Sequence, residues 1–302
     1  MNGTVLITGG SGLIGNKLTQ FLQEIGYSIT HLSRSKKGDE KIKTYFWDLD
    51  QEEIEIEALT TADHIIHLAG ANLAEKRWTE KQKKIIIESR TKSADLLLKK
   101  LAVTEHKVKS FISASGIGIY GSDNSGHELD EHSPPGEDFL SEVTVKWEEA
   151  VDRISTLGIR VVKLRTGLVL TTEGGALPKL MLPVKFGVGA ALGSGKQVYS
   201  WIHIEDLCRI YLQAIENESM NGPYNAVAPE PVTNQEFTRS LANVLNRPLL
   251  LPKIPRLILN IILGEMAIAV VGGNKITSRK IENTGFQFNY NNLDAALTQL
   301  LK

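Results

Sequence analysis

Residues 8–15 read Thr8-Gly9-Gly10-Ser11-Gly12-Leu13-Ile14-Gly15, a spacing of glycines suited to holding phosphate. Lacking Cβ atoms, these positions let the backbone turn tightly and approach a pyrophosphate, and Gly15 lets helix and strand pack closely. A helix opening at Leu13 and Ile14 adds free N–H groups and the positive end of its dipole, with Ser11 inside the same turn. A glycine-rich bend without a ligand is the plainer alternative. The strand-like run before the bend and the amphipathic run after it favour a dinucleotide site.

The end of the second strand chooses the dinucleotide. An NAD site usually carries an acid there, about 20 residues past the glycines, on the ribose hydroxyls. This chain reads His31-Leu32-Ser33-Arg34-Ser35-Lys36-Lys37, with no acid before Asp39. An Arg can hold a 2′-phosphate through a forked, charge-assisted contact and stack on adenine. NADP is therefore expected over NAD, with Arg34 as discriminator and Ser33 and Ser35 as helpers; a solvated basic loop is the alternative. Asp48, closing the run Trp47-Asp48-Leu49, is placed to accept from the adenine amino group.

These groups need a scaffold that brings strand ends together. Short β-branched runs at 5–8, 28–32, 43–47, 64–68, 108–114 and 159–164 alternate with helix-period segments. In the first helix Ile14, Leu18, Phe21, Leu22 and Ile25 share a face and Gly26 marks the stop; further helices are expected over about 80–103 and 139–157. Such alternation implies βαβ units, right-handed crossovers and a doubly wound parallel sheet, an α/β fold of Rossmann type. After Leu164 the rhythm is lost. Gly/Pro-rich loops, a helix near 204–216, a capping-box start at Thr233 with Glu236, an apolar helix at 254–272 and a last helix from about Asn292 suggest a smaller α+β lobe. The expected division is a dinucleotide-binding domain over 1–165 and a substrate lobe over 166–302, the latter ending in a helical segment from about 250.

The chain has 302 residues, 42% of them apolar and 23% charged, with 34 Lys and Arg against 35 Asp and Glu. That balance gives no overall positive field, so neither nucleic acid nor an acidic membrane is the expected partner. The single cysteine, Cys208, excludes an internal disulfide and a Cys-based zinc site, and fits a reducing compartment. No targeting leader is expected ahead of the first strand, and the apolar stretch 254–272 is interrupted by Arg256, Asn260 and Glu265. A soluble, cytoplasmic protein is expected.

The sequence resembles the short-chain dehydrogenase/reductase superfamily of the extended epimerase/dehydratase type. The matching pieces are the 8–15 turn, Asp48-Leu49, His67-Leu68-Ala69-Gly70, Ser113-Ala114-Ser115, Tyr120-Gly121, Arg165-Thr166-Gly167 and Trp201-Ile202-His203-Ile204-Glu205-Asp206. They occur in family order and cover nearly the whole chain. Arg77-Trp78-Thr79, Ser89-Arg90, Trp147-Glu148 and Gly285-Phe286 resemble a narrower group, the atypical YfcH-like epimerase family proteins with a C-terminal domain of unknown function. The resemblance adds Leu49, Leu68, Ala69, Gly70, Ser113 and Arg165 to the expected cofactor contacts and leaves the substrate unassigned.

Members of the superfamily move hydride with a Tyr, a Lys four residues later, and a Ser or Thr; the Lys lowers the Tyr pKa for proton exchange near neutral pH. None of the seven tyrosines here has a Lys four residues on, and the helix where the pair belongs, Phe139 to Glu148, contains no Tyr. Acid/base catalysis of the family type therefore does not transfer. Ser115 stands where the resemblance puts the catalytic hydroxyl, or is a strand-end serine satisfied by its own loop. Tyr120 is a substitute donor over the nicotinamide, or an aromatic plug. His203 faces the cofactor with a pKa suited to proton exchange, or bonds backbone and ties the lobes.

Three further features have two readings each. The run 126–132, with two His and three acids, is a metal site or a hydrated flap, and the absence of metalloprotease spacing and of Cys favours the flap. Arg77 and Arg90 hold an anionic substrate or pair with Glu75, Glu80 or Glu88. Helix 85–103 has apolar residues on more than one face, which fits a homodimer or burial under the C-terminal lobe. The expected function is an NADP-dependent oxidoreductase or nucleotide-sugar-epimerase-like enzyme on a small hydroxyl- or carbonyl-bearing substrate. The alternative, favoured by the missing Tyr/Lys pair, is a non-catalytic NADP(H)-binding redox sensor or scaffold.

Overall fold

Short β-branched segments separated by amphipathic helices assemble, in the computed structural model, into one eight-stranded sheet; the structure describes residues 2–35, 42–122 and 127–302. Its first six strands are β1 (Thr4–Thr8), β2 (Ser28–Ser33), β3 (Thr44–Asp48), β4 (Glu53–Ile54), β5 (His64–His67) and β6 (Ser110–Gly116). Strands Arg160–Thr166 and Gly222–Ala226 complete it beyond β6. From edge to edge the order is 222–226, 160–166, β6, β5, β1, β2, β3, β4, all parallel except β4. The chain winds outward in both directions from β1 and β5, so a crevice opens between their carboxyl ends.

Helices α1 (Leu13–Glu24), α2 (Glu57–Thr61), α3 (Glu80–Leu101) and α4 (Phe139–Asp152) fill the first half. The second half contains α5 (Ala176–Lys185), α6 (Ile204–Glu216), α7 (Asn234–Val244), α8 (Arg256–Leu263), α9 (Ile268–Val271), α10 (Arg279–Glu282) and α11 (Leu293–Leu301). Alternate strand residues feed opposite cores, as the pleat requires. Val5, Ile7, Ile66, Ile112 and Val162 pack under Leu18 and Leu22 of α1 and Leu207 and Tyr211 of α6. Leu6, Ile65, Phe111 and Val161 pack under Leu97 and Leu101 of α3 and Trp147 and Val151 of α4. A third core, around Leu177, Trp201, Phe237 and Leu297, belongs to the lobe.

Two expectations about organisation need correction. A boundary near residue 165 would cut the sheet, because the 222–226 strand pairs in parallel with 160–166 and α6 packs beside α1. The chain returns to the sheet because Tyr224 and Ala226 offer apolar faces to a strand edge that would otherwise stay open. The apolar stretch 254–272 is also not one helix. Gly264, at φ +62°, ends α8, and a 3₁₀ turn over Gly264–Ala267 leads into α9. The apolar faces of α3 are partly covered: Leu97 and Leu101 lie under the sheet core, Ile86 packs with Trp78 and Val143, and Met266 and Ile268 of the C-terminal segment join that cluster.

Candidate functional site

The glycine turn joins β1 to α1 at the crevice. Gly9 has φ +70°, and a Cβ on it would stand 3.0 Å from the Leu68 carbonyl. On Gly15 a Cβ would lie 2.4 Å from the Gly9 oxygen, so this glycine lets the helix close on the turn itself rather than on the strand. Gly10 lies flat on the His31 ring, 2.5 Å from where its Cβ would be. Helix α1 starts at Gly12, which has no side chain to cap it, and carries no acid in its first turn. Ser11 and Gly12 are exposed, and the first N–H groups of the helix that follows have no intrahelical partner and lie at its positive dipole end. This cradle, which any Cβ would fill, fits the pyrophosphate of a dinucleotide.

A buried chain of hydrogen bonds holds the opposing wall, Leu68-Ala69-Gly70. Thr8 Oγ1 accepts from the backbone N–H of Leu68 and of Ala69, each at 3.1 Å, and lies 2.8 Å from His67 Nδ1. On the other side of that ring, His67 Nε2 is 3.1 Å from Ser93 Oγ, whose proton is given to the Arg90 carbonyl. Ser93 must then accept from His67, which fixes the Nε2–H tautomer and makes Thr8 the donor to Nδ1. Complete burial, with the Arg90 charge adding to it, pushes the His67 pKa down to about 3. Arg90 does not meet a glutamate. It lies under the 68–71 loop, donating to the carbonyls of Ala71 and Ile86, with its guanidinium 5.0 Å from the Trp147 ring.

Arg34 is exposed at the carboxyl end of β2, beside Ser33, whose Oγ accepts from Ser35 N at 3.2 Å. The remaining basic residues of that loop, Lys36 and Lys37, and Asp39 lie outside the described residues. Asp48 ends β3 and uses Oδ1 to accept from Asp50 N and Gln51 N. Leu49 packs on the core behind it.

At the end of β6 the arrangement is ionic. Ser115 and Ser113 share a strand face with Lys163 and Arg165 of the neighbouring strand. The Ser115 hydroxyl donates to Glu148 Oε1 at 2.6 Å. Arg165 donates to both oxygens of that carboxylate and, through Nη1, to the Tyr120 hydroxyl at 3.0 Å and the Glu131 carbonyl at 3.2 Å. Lys163 sits 3.4 Å from Glu148 and donates to Asp152 at 2.7 Å. Burial alone would push the Glu148 carboxyl up, but Arg165, Lys163 and Ser115 together hold it below its usual range. Ser113 is buried and donates to the Ala114 carbonyl.

Several expected residues stand elsewhere. Arg165, expected as a cofactor contact, is engaged in the ionic cluster, where it positions Glu148. Tyr120 is a plug: it is 3% exposed, it donates to Asn225 Oδ1 at 2.7 Å, and burial raises its pKa to about 12. His203 caps α6 by accepting from Glu205 N through Nδ1, donates through Nε2 to Gln299 of α11, and stacks on Tyr290 at 3.8 Å. Burial is the larger influence on it and lowers its pKa. Neither group is free to exchange a proton with a substrate. Arg77 donates to the carbonyls of Ile261 and Ile262, tying the first domain to α8. Among the described residues no group of three or more His, Cys, Asp or Glu is placed to hold a metal ion.

Thr8, His67, Glu148 and Asn225 are working parts that the sequence does not announce as such. A signal was present for Glu148. Lys163 and Arg165 alternate with Val162 and Leu164 in a strand that must be buried, and two buried cations require an acid nearby.

Residues 5–227 match the model of the NAD dependent epimerase/dehydratase family, and residues 254–300 match a domain of unknown function, DUF1731. The epimerase family protein YfhF of Bacillus subtilis is 37% identical over 298 residues, which cover 98% of this chain and 97% of that protein. The crystal structure of human epimerase family protein SDR39U1 (isoform2) with NADPH superposes with TM-score 0.87 at 33% identity, covering 98% of each chain. A nucleoside-diphosphate sugar epimerase from Corynebacterium glutamicum is similar with TM-score 0.81 and 33% identity, over 99% of this chain and 58% of that one.

Proposed function

The chain belongs to the NAD dependent epimerase/dehydratase family, and from that premise we propose that it is an NADP-dependent oxidoreductase or epimerase-like enzyme acting on a small hydroxyl- or carbonyl-bearing substrate. The observation that carries this reading is the glycine cradle, with exposed Arg34 at the end of β2 where an acid would suit NAD. The NADPH in the human relative supports the same preference. When bound, the nicotinamide supplies hydride to, or takes it from, the substrate carbon. The chain's part is to grip the pyrophosphate with the 9–15 turn, seat the 2′-phosphate on Arg34, and brace the far wall with Thr8 and His67.

Ser115 is the proposed substrate contact. Its proton is committed to Glu148, so its lone pairs accept from a substrate hydroxyl; the low-pKa carboxylate behind it orients the serine and does not act as a base. A second reading, a non-catalytic NADP(H)-binding redox sensor or scaffold, draws support from the internal engagement of Tyr120 and His203. Calorimetry with NADPH and NADH tests the cofactor: tighter NADPH binding that is lost in Arg34→Ala is expected, and a preference for NADH refutes it. A substrate screen followed by nicotinamide absorbance separates enzyme from sensor, because turnover lost in Ser115→Ala selects the enzyme.

A further inference from the structure

We propose that the outer face of the C-terminal lobe is a docking surface for an anionic lipid bilayer. Fourteen large hydrophobic side chains stand exposed among the described residues, and ten of them lie between Leu182 and Ile262. The most open of these ten are Leu250 at 76%, Phe186 at 75%, Leu257 at 71% and Ile261 at 68%. The contributing segments are neighbours in the fold. Ile254 bridges to Leu192, Gly193 N donates to the Ile254 carbonyl at 2.8 Å, and a Cβ on Gly189 would lie 3.2 Å from Leu249. Helix α8 follows at once, with its end held by Arg77, so its outward apolar residues are displayed on a fixed rod. A concentration of apolar surface on this scale marks an interaction site.

Charge selects the occupant. Segments 174–200 and 240–264 carry six Lys and Arg and no Asp or Glu, in a chain whose net charge is -1. All six cations are exposed. The near-neutral whole-chain balance, which argued against an acidic membrane, averages over this local excess. Apolar side chains set among cations suit a surface with an acyl layer beneath anionic headgroups. A two-fold contact with a second copy would set this cationic face against an identical cationic face. No helix among the described residues is long and apolar enough to cross a membrane, so the contact is interfacial.

The test is co-sedimentation of the full chain with phosphatidylcholine vesicles and with vesicles containing phosphatidylglycerol. Binding to the anionic vesicles alone, weakened by salt, is expected. The double variant Leu257→Glu/Ile261→Glu should abolish it. Lys185→Gln/Arg256→Gln should weaken it roughly thirtyfold. Circular dichroism and thermal unfolding establish that the variants are folded, and neither readout depends on the cofactor or on turnover. Failure to sediment with anionic vesicles overturns the proposal, as does salt-insensitive binding to phosphatidylcholine alone. So does a concentration-dependent dimer, seen by analytical ultracentrifugation, that Leu257→Glu/Ile261→Glu dissociates.

Discussion

Arg165 grips both carboxylate oxygens of Glu148, at 2.9 Å through Nε and 2.9 Å through Nη2. The pair is almost sealed from solvent, with side chains 8% and 7% exposed. A two-pronged contact of this kind fixes the guanidinium plane, and with it everything else the guanidinium touches. Ser115, Tyr120 and the Glu131 carbonyl are all oriented by this one ion pair.

Glu148→Gln leaves Arg165 buried without its acid, while Lys163 keeps Asp152, and should cost about 3–5 kcal/mol of stability in urea unfolding. The pH dependence follows from the lowered pKa. The stabilisation from Glu148 is present above its unfolded value, near 4.5, and is lost as pH falls through the lower folded value. The wild-type stability should therefore decline in acid, and the decline should be shallower in Glu148→Gln.

His67 gives a second acid-side slope at higher pH. Its folded pKa, about 3, lies below the unfolded 6.5, so its contribution is complete above pH 6.5 and fades as pH falls toward 3. Protonation would put a second N–H on the ring against Thr8, which must then stop donating. Loss on the order of a few kcal/mol is expected. Its absence in His67→Gln, compared by unfolding at pH 7 and pH 4.5, checks the assignment.

Gly15→Ala places a methyl group 2.4 Å from the Gly9 oxygen, and backbone cannot yield there without opening the turn. Cofactor affinity should fall at least about tenfold, with stability reduced by about 1–3 kcal/mol. Calorimetry with NADPH and thermal unfolding measure the two effects separately.

Tyr120→Phe distinguishes a plug from a proton donor. Deleting the hydroxyl strands Asn225 Oδ1 and one Arg165 N–H in a buried site, at a cost of about 1–3 kcal/mol. Any turnover of the folded variant should be retained. A large loss of kcat at unchanged stability would return Tyr120 to the chemistry.

Strand and helix positions were legible because the pleat and the helix each impose a period that survives in the letters. The sequence expects a strand over 28–32 and a helix from about 80 to 103; the structure has Ser28–Ser33 and Glu80–Leu101. The glycine turn was legible for the same local reason. Of the ionic cluster only the need for an acid near Lys163 and Arg165 was legible; which acid was not, because the cluster joins β6, α4 and the 160–166 strand across long stretches of chain, and no local period reports such a meeting. His203 shows the opposite limit. Its type suits proton transfer, but α11, almost a hundred residues later, claims its second nitrogen through Gln299.

The 222–226 strand has a consequence for how the molecule is made. It is the outermost member of the parallel ladder, and its neighbour, residues 160–166, is synthesised some sixty residues earlier. While the ribosome works through that interval, Val162 and Leu164 border a ragged margin with nothing beside it. Expressed alone, residues 1–165 should keep that margin bare and clump, whereas a fragment extended past Ala226 should stay dispersed.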